Sequence, residues 1–173
     1  MAETIRVRMD MTQEIRDLLK DLSKMDSESQ KQLKDEVASI SAWTATQIKH
    51  AASDTPYPKQ SERIAESIKF NRDRVPNVTI GGSKGRFSGG SAGAKGGRSG
   101  DVLFGNEFGA YPTSEGGRFP NGGRRFPFRT PIAPSGKGNT GYWIFPTMRS
   151  IQPELSRRWW TAADKIFRHW QRS

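Results

Sequence analysis

The chain has 173 residues and no cysteine; that length suits one domain with a large appendage, and the missing thiols exclude disulfides, cysteine nucleophiles and thiolate metal sites together. A formal charge of +10 and a sequence pI near 10.2 point to polyanionic partners, and with only 33% hydrophobic residues the core is modest and would gain from neighbouring subunits. The charge is uneven: residues 1–54 hold 8 Lys/Arg against 10 Asp/Glu, whereas residues 55–173 hold 20 against 8, which implies two faces with different partners.

No apolar run approaches the roughly 20 residues that cross a bilayer, and the chain opens on charge alternation instead of a signal-peptide core. The expectation is a soluble, unprocessed protein with no membrane partner. Thr4 to Met11 alternates, with Ile5, Val7, Met9 and Met11 on one side, which reads as a short strand. From Thr12, a candidate N-cap, the spacing of Ile15, Leu18, Leu19, Leu22 and Met25 predicts a helix over about 13–25. Asp26 can cap a second helix over about 27–52, whose face is Leu33, Val37, Ile40, Thr44, Ile48 and Ala51.

Thr55-Pro-Tyr-Pro58 stops that helix, because proline lacks the donor and forces its predecessor toward extended geometry. Ser61 and Glu62 then restart a short helical turn through Ile64 and Ile68, and Ser67–Arg74 with Val75–Gly82 read as a hairpin turning around Asp73 to Pro76. All 18 glycines fall between Gly81 and Gly141, 15 of them in 81–123, so this stretch reads as one long basic loop insertion. Inside it, Val102 to Phe108 is an apolar island that re-enters the core as a strand or helical turn. A second loop runs to Gly141, followed by an aromatic segment Tyr142–Pro146. Pro153 is placed as the first residue of a C-terminal helix over 153–171 whose core face is Leu155, Trp159, Ile166 and Trp170.

The glycine-lysine stretches Gly81-Gly-Ser-Lys84 and Gly90-Ser-Ala-Gly-Ala-Lys95 invite comparison with a phosphate loop, but neither has the required spacing. His50 and His169 have no second ligand at metal spacing and read as structural. Glu62 and Glu66 read as a salt-bridging pair with Arg63 and Lys69, and no serine stands in a nucleophile-elbow context. Neither an enzyme, a metal nor a cofactor is expected. Lys84, Arg86, Lys95, Arg98, Arg118, Arg124, Arg125 and Arg129 are different: they alternate with Gly, Ser and Phe and have few acidic neighbours. Such a segment can track a nucleic-acid backbone, with Phe87, Phe119 and Phe126 stacking on bases, can dock onto acidic protein neighbours, or can be solvated with no partner.

In order, the chain offers a long helix, the Thr55-Pro break, Ser67-Ile68, a hairpin, Phe104-Gly-Asn-Glu107-Phe-Gly109, Phe126-Pro-Phe128-Arg-Thr-Pro131 and a terminal amphipathic helix. This order resembles the neck and tail-completion (minor tail component) family of long-tailed bacteriophages across residues 28–170. It departs from that pattern in the length of the Gly-rich segment before Glu107 and in an insertion, Ala133 to Gly141, after Pro131. The resemblance implies a structural virion protein with no catalytic residue. It would be made in the bacterial cytoplasm and assembled as a homo-oligomeric ring at the junction of head and tail, as part of the head-to-tail connector (neck) or completing the tail at its head-proximal end, beside other connector and tail proteins and passing double-stranded DNA. It also implies a structural role for Glu107, Gly109, Phe128 and Pro131, with Glu107 and its flanking glycines fixing a turn. The fold expected from all of this is α+β: a small antiparallel sheet of three to five strands packed by the long second helix and the C-terminal helix, in a single domain with long Gly-rich insertions. A basic nucleic-acid-binding protein is the alternative in another class; a tail terminator or minor tail protein is the third reading.

Overall fold

The structure, a computed structural model, describes residues 4–8, 13–55, 58–83, 98–108 and 140–171. Among the sequence expectations, the Thr12 cap, Met9, Met11, Gly109, Phe128, Pro131 and the basic residues Lys84, Arg86, Lys95, Arg118, Arg124, Arg125 and Arg129 lie outside the described residues. The elements run β1 (Thr4–Arg8), α1 (Gln13–Leu22), α2 (Ser27–Ala51), α3 (Pro58–Ala65), β2 (Lys69–Phe70), β3 (Asn77–Gly81), α4 (Ser99–Phe108) and α5 (Ile144–Trp170). The protein is α+β: the described residues are mostly helical, with a three-stranded antiparallel sheet in the order β1-β3-β2. No helix among the described residues is long and apolar enough to cross a membrane.

The chain divides into two compact units. One holds residues 6–46, 69–78 and 150–173, and its core is built from helix faces that the periodicity announces. Asp26 caps α2: its carboxylate accepts the Ser29 N–H at 2.9 Å and the Ser29 hydroxyl at 2.8 Å, which also holds its pKa below the usual aspartate value. From there Leu33, Val37, Ile40 and Thr44 are buried at helical spacing, and so is Ser41, a residue the apolar pattern passes over. The Ser41 hydroxyl accepts the Asn77 N–H at 3.2 Å, joining α2 to the start of β3. On α5, Leu155, Trp159, Ala162, Ala163 and Ile166 are buried, while Trp170 is only half-buried. The Trp159 indole N–H donates to the Arg74 carbonyl at 2.9 Å, so α5 holds the hairpin turn as α2 does.

The outer faces of this unit are charged. Glu154 accepts from both Arg157 and Arg158, which hold its carboxyl down to about 2. Arg158 also lies 4.2 Å from the Trp43 ring centroid. Arg72 pairs with Asp35 and Lys165 with Glu36, but all four side chains are well exposed and such pairs add little stability.

The other unit holds residues 1–5, 47–68 and 79–149. Its buried apolar side chains include Ile48 at the end of α2, Ile64 and Ala65 of α3, Ile80 of β3, Val102 and Leu103 of α4, Trp143 just before α5, and Ile144 and Met148 at its start. After α2 a 3-10 turn, Ala52–Asp54, leads into Thr55, so the helix ends before Pro56. Two expectations need correction here. Ser61 does not begin the next helix: α3 starts at Pro58, whose fixed φ and missing N–H suit a first helical position, and Ser61 is buried within it. The island at 102–108 is neither a strand nor a single helical turn but most of α4, ten residues long, and just before it the Arg98 N–H donates to the Asp101 carboxylate at 2.7 Å.

The third correction is the largest. α5 starts at Ile144, not at Pro153, and Pro153 lies inside the helix. Pro146 falls in the first turn, where an N–H would have no helical partner anyway. What starts the helix early is a side chain far away in sequence.

Candidate functional site

Glu107, near the C-terminal end of α4, is fully buried. Its Oε2 accepts the Trp143 N–H at 3.2 Å and the Ile144 N–H at 2.9 Å, and its Oε1 accepts the Phe145 N–H at 2.9 Å. Its backbone carbonyl takes the Tyr142 N–H at 2.8 Å. One residue thus satisfies four successive amides at the start of α5, the work that a local N-cap does in part. Glu107 is on a helix and secures the start of another, while Gly109 beside it lies outside the described residues.

Gly141 makes the close approach possible. Its φ is +80°, a conformation side chains with a Cβ rarely adopt, and a Cβ there would stand 2.0 Å from Glu107 Oε1. Arg149 binds the Thr140 carbonyl from the next turn of α5, and its positive charge acts on the same carboxylate. Burial pushes the Glu107 carboxyl above the ordinary glutamate value, against the pull of the three backbone N–H groups and of Arg149.

Asn106 extends the arrangement toward α3. Its Oδ1 accepts the Trp143 indole N–H at 2.8 Å and the Ser61 hydroxyl at 3.0 Å, and its Nδ2 donates to Gln60 Oε1 at 3.1 Å. The Ser61 hydroxyl lies 2.7 Å from Thr55 Oγ1, which is itself 3.1 Å from the Ala52 carbonyl. Two hydroxyl protons serve these three contacts, so with the shortest one filled the chain runs either from Thr55 through Ser61 to Asn106 or from Ser61 through Thr55 to the Ala52 carbonyl. A buried, directed polar chain of this kind specifies one packing of α3, α4 and α5.

The opposite face of α4 turns outward. Phe104 is 41% exposed and Phe145 38%, with Phe108 half-buried between them; the ring centroids are 6.0 Å apart for Phe104–Phe108 and 5.3 Å for Phe108–Phe145. Of the basic residues singled out in the sequence, only Arg98 is described, exposed at the entry to α4. His50 and His169 are exposed. Chemically, the site spends its one buried carboxylate on backbone amides, and its polar side chains on each other. Asn106 and Gly141 carry no local signal beyond a polar residue beside Glu107 and a lone glycine before an aromatic run.

Comparison with family models, with curated proteins and with solved structures finds no match to this chain.

Proposed function

We propose that the protein is a structural subunit of a tailed-bacteriophage virion, part of the head-to-tail connector or of the tail-completing ring at its head-proximal end. The observation that carries this reading is the use of Glu107. The glutamate of the Phe104-to-Gly109 signature is buried and consumed by three backbone amides, while the two aromatics of the same signature face outward beside Phe145. A carboxylate used this way secures a scaffold, and a small exposed aromatic cluster on a rigid scaffold is what an assembling subunit offers its neighbours. The modest apolar content and the basic second part of the chain fit a subunit completed by copies of itself around passing DNA.

The test is assembly. Purified particles should contain the protein at a small fixed copy number. Replacing residues 84–97 with a short Gly-Ser linker, which keeps Arg98 and its bond to Asp101, should leave helix content and melting near native but abolish incorporation. Ordering so many glycines has a large entropic cost that only contacts outside the subunit would offset. Normal incorporation of the shortened protein would make the segment dispensable, and absence of the full-length protein from particles would sink the reading.

The charge of residues 55–173 favours a second reading, a basic nucleic-acid-binding protein. Contacts to DNA phosphates would make binding weak, sequence-independent and steeply salt-dependent. A variant with Arg118, Arg124, Arg125 and Arg129 changed to serine should then lose most low-salt affinity for duplex DNA. Equal binding by the two proteins would remove DNA from both readings.

A further inference from the structure

α5 is 27 residues long, but its hydrogen-bond ladder is not continuous. Pro153 supplies no N–H for the Arg149 carbonyl four residues earlier, and this is the point at which the chain passes from one compact unit to the other, between Arg149 and Ser150. The two stretches of helix are secured by different means. Before the proline, the first turn is fixed by Glu107 and by the Trp143 indole bond to Asn106, with Ile144 and Met148 buried behind it. After the proline, the helix is secured by Leu155, Trp159, Ala163 and Ile166, buried in the other unit.

We infer that α5 consists of two cooperative segments divided at Pro153, the first opening and closing with the grip of Glu107 and the second with the core around Trp159. A helix with an unbroken ladder and one packed face opens as a unit, whereas a missing bond at a change of packing partner lets each part open at its own free energy. The first segment carries Phe145 and is fastened beside Phe104 and Phe108, so the exposed aromatic cluster stands on the part of the helix that can re-form without melting the Trp159 core.

Native-state hydrogen exchange read at single amides tests this. Ile144, Phe145, Thr147 and Met148 should exchange through a smaller opening than Ala162, Ala163 and Ile166, with protection lower by roughly tenfold or more. Glu107→Gln should reduce protection of the first group by at least about tenfold and of the second by less than about twofold. A common protection along α5 in the native protein, or an equal loss in both groups on substitution, would overturn the division. Should Glu107→Gln fail to fold, Pro153→Ala in the otherwise native chain remains decisive. It restores a donor for the Arg149 carbonyl and should bring the two groups toward one value; a separation unchanged by that substitution would place the division elsewhere.

Discussion

Replacing Trp159 by alanine should remove roughly 3 to 5 kcal/mol of stability, a large part of what a domain of this size possesses. The side chain is fully buried, on the same helix face as Leu155, Ala163 and Ile166. Its loss leaves a cavity that the surrounding core can fill only by moving. The same substitution strips the Arg74 carbonyl of the indole N–H at 2.9 Å, adding the cost of an unsatisfied acceptor. Trp160, the next residue, is the control. It is 41% exposed and touches Trp159 edge-on, with ring centroids 5.0 Å apart, so Trp160→Ala should cost under about 1 kcal/mol. Urea denaturation of the two variants beside the native protein measures the difference. Equal midpoints for both would mean that the face of α5 is not a packed core.

The contrast between α2 and α5 shows what could be read from the sequence. α2 is specified locally: Asp26 stands three residues before Ser29, the apolar positions repeat at steps of three and four, and Thr55-Pro56 ends the run, so both the element and its buried face follow from short-range rules. The C-terminal half of α5 is legible for the same reason. Its beginning is not, because the group that caps it lies 36 to 38 residues earlier in the chain. With that cap invisible, Pro153 looks like a first helical residue, a position proline favours, whereas it is an interior residue tolerated at a change of packing partner. Ser41 and Asn106 escape notice because polar residues announce burial only through partners, and their partners, Asn77 and Trp143, are distant in sequence. The site itself was half visible: Glu107 stands out as part of a signature, but neither its burial nor its amide partners can be inferred from spacing.

The junction of Glu107 and Gly141 should give the second large effect, and the two residues should be coupled. Glu107→Ala leaves the Trp143, Ile144 and Phe145 amides without their acceptor in a buried site, which at about 1 to 3 kcal/mol for each unsatisfied group implies a loss of at least about 3 kcal/mol. Gly141→Ala is disfavoured twice, by the +80° φ and by a Cβ placed 2.0 Å from Glu107 Oε1. In the double variant the clash has nothing to clash with, so its cost should fall short of the summed single costs by roughly 1 to 3 kcal/mol; strict additivity would show that the two residues do not meet. The ionisation of Glu107 adds a pH signature with a definite sign. Burial raises its carboxyl above the ordinary glutamate value of 4.5, so the folded state holds this proton more tightly than the unfolded state. The resulting stabilisation is fully present below 4.5 and is lost as pH rises through the raised folded value. Glu107→Gln cannot titrate, so the stability of the native protein measured against that variant should decline across this window and then level off. A difference that grows with pH instead would mean that the three amides and Arg149 outweigh burial, and that the carboxylate is held ionised at the start of α5.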